Sequence, residues 1–442
     1  MTKTSARTEA HPPIGVRPVL PHVTAPPAAP PAVSGAAAGP LPATERGGGH
    51  PSATEAIRVG AFLLSAQFPG QTHGEVLDRT VSATVAAERA GLDSVWLAEH
   101  HFVPYGVCPN AATLAALLLG RTRRIGIGTA VSVLSTTHPV ALGEQAALLH
   151  LTSGGRFTLG VGRGGPWIDL DVFGTGLDSY EQGFPERLDL LLRWLRDARV
   201  GGEGPQFTFP EVAVVPRASE PARLPELSSW LGLPPDPAGA ARLTHRLPRQ
   251  RVDGPAPEAP VLRGPAPAGP PVVVACTSPG GVRLAAERGL PMLLGMHSGD
   301  DDKQRMLELY RTAWRACGRG EEQLVRIQGE HVAAGVAQVE DGTAAARATL
   351  LRSMPGWFEH GLGAHRTVDG RERRMRDPHE YTALLCDLHA VGTPRHCADR
   401  LLATAERTGI RRFALLAEGS GDREAILHNI TRLGSEVLPQ LS

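Results

Sequence analysis

The sequence predicts an α/β protein, a (β/α)8 TIM barrel, on three observations. From Ile57 onward, short apolar runs alternate with longer amphipathic ones, the pattern of βα units on a parallel sheet. Eight such runs are present with a comparable number of helices, and eight strands close most simply as a barrel, with a doubly wound open sheet as the alternative. Third, the residues with chemical potential, Glu99-His100-His101, Arg163 among its glycines and Cys276-Thr277-Ser278, each directly follow one of those runs. The C-terminal ends of barrel strands are where such a fold assembles its chemistry.

The first strand, 57–64, leads to an amphipathic helix at 76–90 that ends at Gly91. A short buried strand at 94–98 follows, then a helix at 111–120. Strands at 125–128 and 157–161, with helices at 140–150 and 181–198, complete the first half. The fifth strand, 272–275, runs into Ser278-Pro279, an N-cap followed by proline at the first helical position, and so into a helix at 280–288. Strands at 292–294, 325–333 and 412–417, with helices at 303–317, 342–352 and 395–408, close the set.

Three segments depart from this rhythm. Residues 1–55 are rich in Pro, Ala and Gly and free of aromatics, so they bury too little apolar surface to offset ordering entropy and are expected to form a disordered extension to a barrel domain at 56–442. They lack the basic start and unbroken apolar stretch of a secretory signal. Residues 200–270, full of Pro, Arg and Gly, form a long insertion before strand 5, part of which could lie over the barrel mouth. Residues 353–380 read either as a solvated surface excursion or as a lid over the site.

Composition narrows the function. With 442 residues and 42% hydrophobic residues, the chain can bury a sizeable core, as one large α/β domain or two smaller ones. Its 45 basic and 45 acidic residues balance, which gives no electrostatic reason to bind nucleic acid or a membrane surface. No apolar run reaches membrane-spanning length. Five widely spaced cysteines without a C-x-x-C indicate neither a disulfide framework nor a zinc knuckle, and a cytoplasmic setting is expected.

His100 and His101 are adjacent, so on a continuing strand at most one faces the barrel axis, whereas at a strand end both could be free. Packed histidines are the plain reading. A metal site would need further ligands at other strand ends, and strand 1 carries no H-x-H, so beside Glu99 an acid/base role is the stronger functional reading. Gly160-Val161-Gly162-Arg163-Gly164-Gly165 matches G-x-G-x-x-G, yet Pro166-Trp167 follows where a dinucleotide fold should open a helix, so that reading is rejected. The glycines instead let backbone approach a flat ligand, and Arg163 is either a fixed cation for a phosphate or carboxylate or a structural ion-pair partner. The helix start at Ser278 is either a plain cap or, with Arg163 on the neighbouring strand end, an anion site.

Phe62-Leu63-Leu64, residues 96–102 and 126–130, Thr137-His138-Pro139-Val140, residues 155–164, Val172-Phe173-Gly174-Thr175 and Val391-Gly392-Thr393-Pro394 together resemble the luciferase-like flavin-dependent monooxygenases, in particular the catalytic subunit of bacterial luciferase. The resemblance covers about 59–176, 271–309 and 391–439. It implies a (β/α)8 barrel that takes reduced FMN from a separate flavin reductase, activates O2 as a C4a-peroxyflavin and oxygenates a small organic substrate. It also implies a homodimer packed through helices near 111–120 and 140–150.

Carried over by position, His100 resembles the family's catalytic histidine and Asp169 an acidic residue near the flavin. Arg163 stands at the phosphate-binding arginine, Cys276, Thr277, Ser278 and Gly280 at the other phosphate contacts, and Ala130–Val131 at a non-prolyl cis peptide. Two departures argue against light-emitting oxidation of a long-chain aldehyde: Gly162 replaces a reactive cysteine, and Cys276 replaces a glutamate. The alternatives are an F420-dependent oxidoreductase of the same superfamily, a non-catalytic flavin-binding homologue and, more distantly, a metal-dependent barrel hydrolase.

Overall fold

A computed structural model describes residues 56–219, 269–371 and 376–441. The expected extension at 1–55 and most of the 200–270 insertion lie outside the described residues.

Eight parallel strands close into a barrel. In order around it they are β1 (Arg58–Leu63), β2 (Ser94–Leu97), β3 (Gly126–Thr129), β5 (Phe157–Gly162), β8 (Val272–Cys276), β9 (Met292–Leu294), β10 (Val332–Val339) and β12 (Arg412–Leu416), which pairs back onto β1. Two short strands extend the rim: β4 (Ser132–Val133) continues beside β5, and β11 (Ala390–Gly392) pairs with the end of β10. The insertion before β8 begins with an antiparallel hairpin, β6 (Arg199–Glu203) and β7 (Thr208–Ala213).

The helices that concern the site are α1 (His73–Arg89), α2 (Ala111–Arg121), α3 (Pro139–Thr152), the short α4 (Asp169–Val172) and α5 (Gly176–Glu181), and α6 (Phe184–Arg196). In the second half they are α7 (Pro279–Arg288), α8 (Asp300–Ala316), α9 (Glu321–Gln328), α10 (Thr343–Leu362), α11 (Pro378–Leu388), α12 (Pro394–Thr408) and α13 (Arg423–Arg432). Among the described residues, no helix is long and apolar enough to cross a membrane.

Strand alternation sorts the side chains into two cores. Val59, Ala61, Leu63, Val95, Leu97, Val274 and Cys276 face outward and pack against the helix layer. Phe62, Leu64, Trp96, Val273, Val336, Ala414 and Leu416 fill the barrel interior. Trp96 is a large plug there, and Gly128 makes room for it: a Cβ on Gly128 would lie 2.6 Å from the indole ring.

Two expectations are corrected. The seventh strand is not 325–333: α9 occupies its first part, and Gly329 caps that helix. The strand runs Val332–Val339, buried along its whole length as a parallel barrel strand should be. Nor does the helix after it end at 352, since α10 continues to Leu362 through Pro355. Pro355-Gly356 reads locally as a breaker, but Leu350, Met354, Trp357, Phe358 and Gly361 bury a helical face, and that packing outweighs one lost hydrogen bond. The stretch from 353 is therefore not a solvated excursion at its start. It lies across the C-terminal mouth, where Trp357 Nε1 donates to Tyr105 O at 3.1 Å and Ser353 Oγ donates to Gly419 O at 2.6 Å.

Candidate active site

The site begins where β2 ends. Glu99 is buried, and its carboxylate is taken up by main chain: Oε1 accepts the Val133 N–H and Oε2 the Ala111 N–H, both at 3.0 Å. It thereby ties β2 to β4 and to the first turn of α2. Committed in this way, Glu99 is a brace and not a free base.

The two histidines beyond it diverge. The His101 ring packs edge-on against Phe173 at 4.9 Å, with Nε2 3.8 Å from Glu99 Oε1. His100 turns the other way, edge-on to Tyr105 at 4.9 Å, and its buried Nδ1 has no hydrogen-bond partner among the described residues. Burial, reinforced by His365 and His101, pushes its pKa down to about 3, so the imidazole is neutral at physiological pH. The predicted Asp169 falls in the first turn of α4, buried, with Oδ1 accepting the Leu170 N–H at 3.0 Å. Burial raises its carboxyl pKa against the pull of His101, which places it on the His101 side of the pair.

At the end of β3 the Ala130–Val131 peptide is cis. Both residues are partly open and line the rim of the inner core together with Tyr105, Ala275, Met296, Leu362 and Tyr381. Opposite them Gly162 leaves no spare room, because a Cβ there would lie 2.6 Å from Val131 Cγ2. The next residue, Arg163, is exposed, and its guanidinium lies 4.2 Å from the centre of the Tyr180 ring. Among the described residues it forms no ion pair, so of the two readings of Arg163 the structure favours the available cation.

β5 pairs directly with β8, in the register Val161↔Val274, so the end of β8 stands beside Arg163. There Thr277 and Gly280 are exposed, and Ser278 caps α7, its Oγ accepting the Gly281 N–H at 3.4 Å. Pro279 has no N–H and the Gly281 and Val282 N–H groups are bonded to Ser278, so the Gly280 N–H and the positive dipole end of α7 adjoin the Arg163 guanidinium. Cys276 is different: its side chain points into the outer core, Sγ donating to Val274 O at 3.4 Å, and burial pushes its thiol up to about 12. Only its backbone remains for a ligand.

Sequence reasoning missed the aromatic cover. Tyr105 stacks on Trp357 at 4.8 Å with ring planes 7° apart, and Trp167 packs on His365 at 4.6 Å. The loop after β5 and the segment after α10 are stitched together by main chain: Ile168 N–H donates to Arg366 O and Val368 N–H to Pro166 O, both at 2.9 Å. The 3–4 spacing of Leu350, Met354, Trp357 and Gly361 was the one legible signal, masked by the proline within it.

The model of the family described as luciferase-like monooxygenase matches residues 57–412. The chain belongs to the luciferase-like monooxygenase family. It is 26% identical over 402 residues to the alkanal monooxygenase alpha chain of the Kryptophanaron alfredi symbiont, covering 87% of this chain and 98% of that one. Two solved structures share the fold. The oxygenating constituent of 3,6-diketocamphane monooxygenase from Pseudomonas putida, in complex with FMN, has a TM-score of 0.61 at 19% identity, covering 87% of this chain and 98% of its own. An F420-dependent secondary alcohol dehydrogenase, in complex with an F420-acetone adduct, has a TM-score of 0.57 at 16% identity, covering 88% and 100%. Membership makes the chain an oxidoreductase of the luciferase-like flavin monooxygenase superfamily.

Proposed function

We propose that this chain is the oxygenase of a two-component flavin monooxygenase, taking reduced FMN from a separate reductase and using O2 to oxygenate a small organic substrate. One observation carries most weight. Among the described residues Arg163 forms no ion pair; it and the capped N-terminus of α7 stand on adjacent strand ends, on the barrel face that also carries an apolar rim and the His100 nitrogen, buried and without a partner among those residues. A flat ring system ending in a phosphate fits that combination of groups.

In this reading Arg163, Thr277 and the main chain of Cys276, Ser278 and Gly280 hold the phosphate, and Ala130 and Val131 offer apolar surface to the ring system. Reduced FMN, when bound, supplies the electrons that activate O2. His100 is the proton-handling group. As a neutral imidazole it can donate or accept one hydrogen bond, and a developing negative charge nearby would raise its pKa toward the working range. Asp169 steadies His101 beside it. Trp357, Tyr105 and the 366–368 segment exclude water, which would otherwise divert reducing equivalents to hydrogen peroxide.

The F420 alternative keeps a specific footing in the structural neighbour that holds that cofactor. Anaerobic titration separates the two: tighter binding of F420 than of reduced FMN would replace this proposal. For the phosphate site, Arg163→Ala should weaken reduced FMN by about 10- to 100-fold, the loss expected of one charge-assisted contact, and leave reduced riboflavin nearly unaffected. Equal losses for both ligands would remove the role of Arg163.

A further inference from the structure

We propose that the buried Arg79–Glu418 ion pair is a positioning device for His100, acting through the loops that follow β1 and β2. Both side chains are almost wholly inaccessible, at 3% and 1%, with Arg79 Nη2 3.7 Å from Glu418 Oε1. Glu418 follows β12, and its Oε2 accepts the Leu64 N–H at 2.6 Å while the N–H groups of Ser65 and Ala66 are directed at the same carboxylate. Ser65 has a φ of 51°, a left-handed turn that curls the main chain of residues 64–66 around that carboxylate. Arg79, from α1, holds the other side of the segment through Ala66 O and reaches Gln71 Oε1 at 2.7 Å and Gly421 O at 3.2 Å.

From this clamp two routes lead to the same imidazole. Along the main chain, the Val107 N–H donates to Ser65 O at 3.0 Å and the Gln67 N–H to Pro104 O at 3.1 Å. His100 in turn hangs its own N–H on Cys108 O at 2.9 Å. Between them Gly106 is so tightly enclosed that a Cβ would sit 2.4 Å from Leu64 O and 2.7 Å from His100 Nδ1. Through side chains, Arg79 lies 5.7 Å from the centre of the Phe68 ring and Phe68 lies 5.5 Å from Trp357, which stacks on the Tyr105 that meets His100.

A buried ion pair is a poor choice for stability alone, since an apolar pair of similar volume often serves as well. What it supplies here is a rigid anchor for polar main chain just beyond a strand end, where no neighbouring strand can satisfy those groups. The wall behind His100 is built on that anchor.

The consequence can be read without any cofactor. The groups facing His100 are Tyr105 from its own loop, His365 from the segment after α10, and His101 next to it. With histidine-labelled protein, and His100→Gln to assign the signal, the His100 ring should stay neutral well below pH 5 in the wild type, in line with its pKa of about 3. In Glu418→Gln the freed loop should admit water, and the titration should rise by about one pH unit or more. Arg79→Gln/Glu418→Gln, which buries no lone charge, is read in the same way if the single variant does not fold. A folded variant whose His100 titrates as in the wild type would overturn the proposal. The consequence for turnover rests on the flavin reading, and the two fail separately. A shifted titration with unchanged oxygenation upholds the positioning and removes His100 from the chemistry, whereas an unshifted titration removes the positioning whatever the yield.

Discussion

His331 shows how a single buried side chain sets a condition on the whole protein. It lies just before β10 with no exposed surface, and its Nδ1 accepts the Met292 N–H at 3.0 Å, which requires that nitrogen to be unprotonated. Burial pushes its pKa down to about 3, and His389, whose Nε2 donates to Met296 O at 2.6 Å, is held at about 4. In the unfolded chain both would protonate near the ordinary value of about 6.5. Between that pH and their folded values the unfolded state binds more protons, so stability is highest above about pH 6.5 and falls as the pH drops. The cost is at most about 1.4 kcal/mol per histidine for each pH unit. Urea midpoints at pH 7 and pH 5 should show that loss, and His331→Gln should lessen it; an unchanged slope would mean His331 is not the source. Gly162 is the second residue whose smallness matters. Gly162→Ala must push Val131 aside, at about 1–3 kcal/mol, and should weaken reduced FMN measurably in an anaerobic titration.

At the scale of elements, α10 is where local and global preferences conflict. Its Pro355 removes a ladder hydrogen bond, yet Trp357 and Phe358 are buried against the inner core and against Phe68 and Tyr105. Trp357→Ala should cost about 3–5 kcal/mol by chemical denaturation, and the gap it leaves at the mouth should raise the share of reducing equivalents lost as hydrogen peroxide. A small cost in stability with coupling unchanged would show that the helix does not seal the site. α7 behaves in the opposite way. Its start was legible because Ser278 and Pro279 satisfy local rules, and the structure places the cap where those rules put it. The strand predicted at 325–333 failed for a related reason: amphipathic α9 and buried β10 adjoin, and a window straddling Gly329 mixes two periodicities.

For the whole molecule, the helices α2 and α3 leave Leu117 and Leu148 exposed, at 46% and 54%, on the pair of helices expected to form a dimer. With a net charge of zero there is little repulsion to oppose such an association. Light scattering should find a homodimer whose mass changes little with salt, and Leu148→Asp should yield monomer. A wild-type monomer at micromolar concentration would leave that face without this role.

The sequence by itself determined the order of the βα units, the glycines at strand ends and the capped start of α7. Each of these follows from rules that act over a few residues. Tertiary structure decided that the two neighbouring histidines diverge and which of them faces the aromatic cover, that Cys276 points away from the site, that Arg163 has no ion pair among the described residues, and that α10 crosses the mouth. It alone brought Arg79 and Glu418 together from distant parts of the chain. Those outcomes depend on which surfaces meet once the barrel closes. Burial, and with it the protonation of His100 and the worth of an ion pair, belongs to partners that no local window contains.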